Sequence, residues 1–510
     1  MATFLTRRLI ASFLVLLAAS YIVYILAANS GDPLADLRSS QARNKEQLIE
    51  ARVRILDLDV PPPLRYFIWL SGLLRGFIGQ FDLGKALNGQ AVTSQLAAAM
   101  GSTLQLVTTS TLIAIVIGIG IGITTALRQY TAYDYGVTFL SFLFFSLPIF
   151  WLAVMLKQYL AIGFNDFLQD PTIPPLVILL VAVVSGIVWV AILGGSWRRR
   201  GITFLIAGGA TAIVLAVLSI TDWFSNPGLG PVVLLVLSVG VAFLVTTLSA
   251  GLSNRRALYS TLSVAVLAII AYFPLQYLFE YGSLPVAIGF LAVFTIVGIV
   301  IGWLWAGPDR WVSARTAGIT ALVVGALILL DRFMKAWVFY TAADQIGGRP
   351  IATIGSQSPD LQGSFWIQGV DSFTHLLLPT VALLLASLAG YTRYARASLL
   401  DVMNQDYIRT ARAKGLTERT VVMRHAFRNA LIPITTIVAF DFGAVIGGAI
   451  VTERVFGWSG MGALFNNSLP LVDVNPIMGV FLVTGISAIV FNLIADVVYS
   501  ALDPRIRVTA

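Results

Sequence analysis

Cysteine is missing from all 510 residues, histidine occurs only at His375 and His425, and 11% of the chain is charged. Without cysteine there is no disulfide and no thiol chemistry, and two separated histidines offer neither a metal-ligand cluster nor a catalytic constellation. So little charge, set against 57% hydrophobic residues and a mean hydropathy of +0.86, excludes an ordinary soluble protein and points to a polytopic membrane protein. The net charge of +8 would indicate a nucleic-acid partner in a soluble chain. Here the basic residues gather at the ends of apolar runs, so membrane topology accounts for them and no nucleic acid is implied.

Arg7 and Arg8 precede an apolar run from Leu9 to Ala28, which is longer than the core of a cleavable signal and is expected to be a retained first helix with its N-terminus inside. The polar region from Asn29 to about Gln95 carries eight basic and seven acidic residues, and a loop of that length is exported whatever its charge. Within it Gly79 to Lys85 reads G-x-x-x-x-G-K, the start of a phosphate-binding loop. Ala86 stands where a magnesium-binding Ser or Thr is needed and no strand precedes the motif, so nucleotide binding is not expected of this chain.

Apolar runs near 104–126 and 137–163 predict a second and a third helix, with Gly118, Gly120 and Gly122 in the second permitting close helix contact and Pro148 inside the third. Lys157 is an intramembrane charge near enough to the outer end to snorkel. Six further runs lie near 176–195, 201–220, 231–252, 258–279, 284–306 and 316–331, each about long enough to span. Arg198 to Arg200, then Arg255 and Arg256, then Arg310 and Arg315 occupy every second connection, while the others offer Asp222 and Glu280, so positive-inside parity closes over six crossings. No residue in these six runs points to chemistry, and a helical annex is the reading they support. Asp331 to Ser372 reads as an external segment, followed by a helix from about His375 to Leu399 with His375 as an interfacial or capping residue. Leu431 to Val451 returns outward, and its Asp441 is a costly intramembrane carboxylate, either on a translocation path or buried against a neighbouring helix. Pro476 to Leu502 is the last helix, with Asn492 and Asp496 facing other helices and Arg505 and Arg507 keeping the C-terminus inside.

The stretch from Asp401 to Pro433 is too charged to cross a membrane. Between Gly390 and Ala430 it holds eight basic residues against three acidic ones, the bias of a cytoplasmic loop. Asp406 to Lys414 are good helix formers, Gly415 suits a left-handed C-terminal cap, and Thr417 can cap the next helix. In that second helix Val422, Met423, Ala426, Phe427 and Ala430 form one packing face, with Arg419, Arg424 and Arg428 over the rest.

The run QDYIRTARAKGLTERTVVMRHAFRNALIP resembles the cytoplasmic coupling loop of binding-protein-dependent ABC importers, in the form carried by the dipeptide/oligopeptide/nickel permease family. Gly415 sets the register of that family's EAA-type motif and puts Arg409, Thr410 and Ala411 at its first three positions, of which the last alanine and the glycine are kept. The resemblance continues in Gly31-Asp32-Pro33, in Val60 to Leu87, in SLPIFWLAVML around Pro148, in GSFWIQGVDSFTHLLLPTVALLL, and in VIGGAIVTERVFGWSGMGALF. In the last of these Glu453, Phe456, Trp458, Gly460 and Gly462 follow the outer-loop pattern, and Ser459 replaces a usual proline.

The resemblance implies an all-α polytopic protein with a type I ABC importer permease core of six helices and about six more inserted between core helices three and four, about twelve in total. On this division residues 1–30 hold the first helix, 31–95 the extracytoplasmic loop, 96–165 core helices two and three, 166–353 the insertion, and 354–510 core helices four to six with the coupling loop at 401–430. Asp406, Tyr407, Arg409, Ala411, Ala413, Lys414, Gly415, Leu416 and Thr417 would dock on an ATPase subunit. The implied partners are a second permease, two ATP-binding subunits, an extracytoplasmic substrate-binding protein and membrane lipid. No cofactor is bound by this chain, and ATP and magnesium are used by the partner subunits. The implied setting is a bacterial or archaeal cytoplasmic membrane, and the implied cargo is di- or oligopeptides, with nickel chelates, opines, glutathione or oligosaccharides behind them. A twelve-helix secondary transporter driven by an ion gradient is the alternative; it should show related halves and ion-coupling residues at matching positions.

Overall fold

The computed structural model describes residues 2–305, 307 and 310–502, and its secondary structure is helical throughout apart from an isolated bridge between Lys85 and Ala91. Among the described residues ten helices are long and apolar enough to cross a membrane, and one bent pair raises the number to eleven. The long helices are α1 (Ala2–Ala28), α2 (Val92–Leu127), α3 (Ala132–Ser146), α4 (Ile149–Leu156), α5 (Pro175–Leu193), α6 (Trp197–Ile220), α7 (Gly230–Ser249), α8 (Arg255–Leu278), α9 (Leu284–Trp305), α10 (Arg310–Thr341), α11 (Phe365–Met403), α12 (Phe427–Gly448) and α13 (Val474–Leu502). Arg505 and Arg507 lie outside the described residues, as do the side chains of Arg419 and Asp496.

The chain divides into two compact units, one of residues 1–160, 353–356 and 376–510, the other of residues 161–352 and 357–375. In the first unit the expected single third span is broken: Ala132–Ser146 and Ile149–Phe167 lie 103° apart. Pro148 has no N–H for the helical ladder and drives Leu147 into an extended conformation (φ −78°, ψ 128°), so the helix ends at Ser146. Close contact between α2 and α11 runs through Gly118 and Gly122: a Cβ on Gly118 would lie 2.6 Å from Tyr391 Cβ, and one on Gly122 2.7 Å from the Thr392 carbonyl oxygen. Gly120 faces open space, so two of the three predicted contact glycines make the contact, at the i, i+4 spacing of one helix face. The region between α1 and α2 is folded rather than free, with short helices Lys45–Ile55 and Pro62–Leu74. Tyr66 joins it to α1, its ring edge-on to Tyr24 at 5.6 Å and its hydroxyl 2.8 Å from that of Ser20.

In the second unit α5 packs on α6, and α7 to α10 pack on one another around Phe290, Phe294, Val324 and Ile328. Here α9 and α10 approach through Gly298 and Gly302, whose added Cβ atoms would meet the Ala321 Cβ at 2.4 Å and the Ser313 carbonyl oxygen at 2.5 Å. Small residues replace the hydrophobic effect as the reason for contact where the surrounding solvent is itself apolar.

The expected external segment from Asp331 to Ser372 is corrected by the structure. Asp331 lies well inside α10, Phe365 already opens α11, and only 342–364 is free of regular structure. The helix continues past Asp331 because that carboxylate is fully satisfied. Its Oδ1 accepts from the Leu229 and Gly230 amides at 2.8 and 3.0 Å, and its Oδ2 accepts from the Tyr272 hydroxyl at 2.8 Å and meets Lys335 Nζ at 3.0 Å. His375, at 5% exposure, has its Nδ1 2.9 Å from the Asp371 carbonyl oxygen and 3.4 Å from the Asp371 carboxylate. It is a buried member of an i, i+4 pair rather than an interfacial residue.

Candidate functional site

The polar loop after α11 folds into a helix, Asp406–Ala413, set on an apolar seat. Ile408 and Ala411 are buried against Ala126, Leu399, Val421, Ala426 and Ala430. Burying an isoleucine side chain contributes about 2 kcal/mol, enough to hold a helix of two turns that would not persist alone in water. The opposite face is left open: Asp406, Arg409, Thr410, Ala413, Lys414 and Leu416 are exposed, and Tyr407, 43% exposed, accepts a hydrogen bond from Asn429 Nδ2 at 2.9 Å.

Gly415 ends this helix with φ +75°, in the left-handed region that a residue without Cβ enters freely, and its amide donates to the Arg412 carbonyl at 2.9 Å. The Thr417 hydroxyl then accepts from the Thr420 amide at 3.4 Å, capping the next turn. Across the bend the Arg412 guanidinium makes two bonds to Glu418, at 3.1 and 2.7 Å, and holds that carboxyl below its usual pKa. Both side chains are well exposed, so the pair fixes the shape of the bend more than its stability.

The next segment departs from the expected regular helix. Val421–Ala426 is a π-turn that runs into α12, and its wider turn buries Val421 and Ala426, five residues apart, together with Val422. Met423, predicted to pack, is 58% exposed.

Asp134 and Arg396 were not singled out in the sequence. Asp134, 2% exposed near the start of α3, accepts from Arg396 Nε and Nη2 on α11, both at 2.9 Å, which locks α3 to α11 just before the loop. The only signal was an Asp three residues after the capping Thr131 at the head of an apolar helix.

The outer motif forms a second assembly. Glu453 is fully buried; its Oε1 accepts from the Thr103 hydroxyl at 2.7 Å and its Oε2 from the Ala463 amide at 3.0 Å. Trp458 donates from its indole to the Ser102 carbonyl at 3.1 Å, and Phe456, also buried, accepts on its carbonyl from the Gly355 amide at 2.8 Å. Gly460 and Gly462 are needed because the chain wraps the carboxylate. A Cβ on Gly460 would lie 2.3 Å from Glu453 Oε1, and one on Gly462 2.6 Å from Ile450 Cα. Ser459 is exposed on this turn, whose left-handed residue is Gly457 at φ +59°. Lys157 does not reach outward alone: it donates to the Val455 carbonyl at 3.2 Å, with the Phe456 ring centroid 6.0 Å away.

Asp441 lies on α12, half-buried, with its carboxyl beside the hydroxyl of the buried Tyr391 on α11. The G-x-x-x-x-G-K run forms no helix or extended strand, and its Leu83 is fully buried. The Leu87 amide beyond it donates to Asp473 Oδ2 at 2.8 Å, and the Lys85 carbonyl accepts from Asn475 at 2.8 Å.

Comparison with known proteins matches residues 258–508 to the family described as binding-protein-dependent transport system inner membrane component. Over 223 residues the chain is 36% identical to the oligopeptide transport system permease protein OppB of Mycobacterium tuberculosis, covering 42% of this chain and 66% of that protein. It is 47% identical over 137 residues to the oligopeptide transport system permease protein AppB of Bacillus subtilis, covering 27% of this chain and 43% of that one. It is 44% identical over 139 residues to the glutathione transport system permease protein GsiC of Escherichia coli, covering 27% and 45%. The chain thus spans just under two thirds of the first of these relatives and under half of the other two. The family match takes in just under half of this chain, and the relatives it resembles are permeases of oligopeptide and glutathione transport systems.

Proposed function

We propose that the chain is the transmembrane subunit of an ATP-driven importer, that it forms half of a translocation path for di- or oligopeptides, and that a substrate-binding protein delivers the cargo outside. The observation that carries this reading is the loop helix Asp406–Ala413, apolar and seated on one side, charged and uncovered on the other. A lever needs both: a rigid seat to transmit movement into α11 and α12, and a free face for the subunit that moves it. In this reading the loop faces the cytoplasm, two ATPase subunits dock beneath this chain and a second permease, and this chain hydrolyses nothing. Asp441 with Tyr391 is the polar step in the path and meets the amino terminus of the peptide. Names of the relatives support peptides as cargo, with glutathione among them.

The test is to purify the chain with its neighbours under mild detergent, comparing wild type with Gly415→Trp and Arg409→Glu. Arg409 is 72% exposed on its side chain, so Arg409→Glu alters the outward face alone, whereas Gly415→Trp has open space around its Cβ but also strains the bend at φ +75°. Wild type is expected to bring ATP-binding subunits and a second permease, and both variants to lose the ATPases while remaining in the membrane. Wild type that comes alone and still accumulates substrate under an ion gradient overturns the proposal.

A further inference from the structure

A second feature of the first unit lies at the loop end of α2, α3 and α11. A cavity of about 160 Å³ opens there, lined by two arginines, four hydroxyl residues (Thr125, Thr138, Ser141 and Thr392), Phe142 and Phe145, with no acidic residue in its wall. The two arginines are in opposite states. Arg396 is neutralised by Asp134 through two bonds. Arg393 has no carboxylate within ion-pairing distance among the described residues, and its guanidinium instead stacks at 4.9 Å from the Phe145 ring centroid and 5.6 Å from that of Tyr394. Stacking fixes the plane of the guanidinium while leaving its N–H donors uncommitted.

Beside it the Thr392 hydroxyl, 3% exposed, has no hydrogen-bond partner. Phe142 and Phe145 are 56% and 61% exposed and continue the cavity as an apolar strip along α3.

We propose that this cavity binds the phosphodiester headgroup of an anionic phospholipid, with Arg393 as the cationic donor, the Thr392, Thr138 and Ser141 hydroxyls as neutral donors, and the acyl chains lying along Phe142 and Phe145. The cavity has room for a phosphate group, and the apolar strip distinguishes a lipid from free phosphate. Basic pockets between helices on the cytoplasmic side are where anionic headgroups are found, and the assignment to that leaflet rests on the orientation proposed above for the loop. The site borders the lever: Thr125 lines the cavity while Ala126 belongs to the seat of the loop helix, as does Leu399, three residues beyond Arg396. Occupancy therefore stiffens the junction through which the loop moves α11.

The full-length chain is reconstituted into phosphatidylcholine liposomes with or without phosphatidylglycerol, extracted, and weighed intact by native mass spectrometry. Wild type is expected to retain one phosphatidylglycerol, and Arg393→Ala to hold it about fivefold more weakly, the loss of one basic contact at a membrane surface. Thr138→Val with Ser141→Ala should weaken it less, and Arg199→Ala, an exposed arginine outside the cavity, not at all. A melting curve on each variant confirms folding. Equal retention by wild type and Arg393→Ala overturns the proposal, and so does displacement of the lipid by inorganic phosphate, which would make the site one for the free ion. The readout needs no ATPase, so a failed lipid site leaves the importer reading standing, and a failed importer reading leaves the lipid measurement valid.

Discussion

Three buried carboxylates of the first unit each have a partner at least 262 residues away, whereas every partner of Asp331 on α10 in the second lies within 102. Asp134 reaches Arg396 over 262 residues, Glu453 reaches Thr103 over 350, and Asp473 reaches the Leu87 amide over 386. Asp331 finds Lys335 four residues on, Tyr272 at 59 and the Leu229 amide at 102. Helix contact follows the same division, since Gly118 and Gly122 meet 391–396 whereas Gly298 and Gly302 meet 313–321. The first unit is one fold interrupted by about two hundred residues of chain, and its polar ties cross the interruption. The second closes on itself. Long-range ties make a fold depend on registry between distant segments, while local ties let a bundle form as its chain emerges.

The sharpest way to break this contrast is at the long-range helix contact. Gly122→Leu drives a side chain into the backbone of α11, and the expected result is loss of essentially all folded protein. Gly122→Ala, a smaller overpacking, costs about 1–3 kcal/mol. Gly120→Leu, two residues away but facing open space, should leave the protein as it is. Fluorescence-detected size exclusion of the three variants reads the difference. A Gly120 variant as damaged as its Gly122 counterpart would mean that the contact is not what holds the helices.

A local tie should fail locally. Asp331→Ala strands Lys335, the Tyr272 hydroxyl and two backbone amides, and breaking a buried pair from one side costs about 3–5 kcal/mol. Lys335 is 37% exposed on its side chain and regains some water, which places the loss near the lower end. Hydrogen exchange should then rise across α7, α8 and α10 while α2 and the part of α11 after residue 375 stay protected. Exchange that rises equally in both units would show that the second is not self-contained.

What could be read from the residues follows the range of the forces involved. Apolar runs report burial in lipid one segment at a time, so the all-helical class and the positions of the six helices from Pro175 to Thr341 were legible, to within a few residues at most ends. Asp331 misled because a charge in an apolar run looks like an end, and the Tyr272 hydroxyl and Gly230 amide that satisfy it are not neighbours in sequence. Gly120 was grouped with Gly118 and Gly122 because composition carries no rotational phase. Pro148 marked a disturbance, but the 103° turn it produces depends on Leu147 becoming extended. In the loop, Gly415 and Thr417 carry their own local rules, whereas the π-turn at Val421–Ala426 is set by the seat beneath it, which only the folded chain assembles. Thr103 gave no signal at all: a threonine in an apolar helix is unremarkable until Glu453 lies against it.

The long-range tie at Asp473 offers a measurement in solution. It lies outside the spanning helices, 5% exposed, with Oδ2 on the Leu87 amide and Oδ1 without a partner. Burial pushes its pKa from 3.8 up to about 6, against the opposing pull of the Leu87 amide and Arg52. The folded state therefore binds the proton more tightly than the unfolded one, and stability falls as pH rises through the window between those two values. Below about 4 both states are protonated and the group makes no difference; above about 6 the full penalty is present, about 3 kcal/mol for a shift of this size. Acidification from pH 7 to pH 5 should thus tighten the turn, and the protection of the Leu87 amide, the intrinsic rate at the same pH divided by its exchange rate, should rise. Asp473→Asn keeps an acceptor for that amide and removes the charge, so protection in the variant should be high at both pH values. If the protection of Leu87 in wild type is constant across the window, the carboxylate is not held away from water, and the longest of the ties contributes no more than an exposed hydrogen bond.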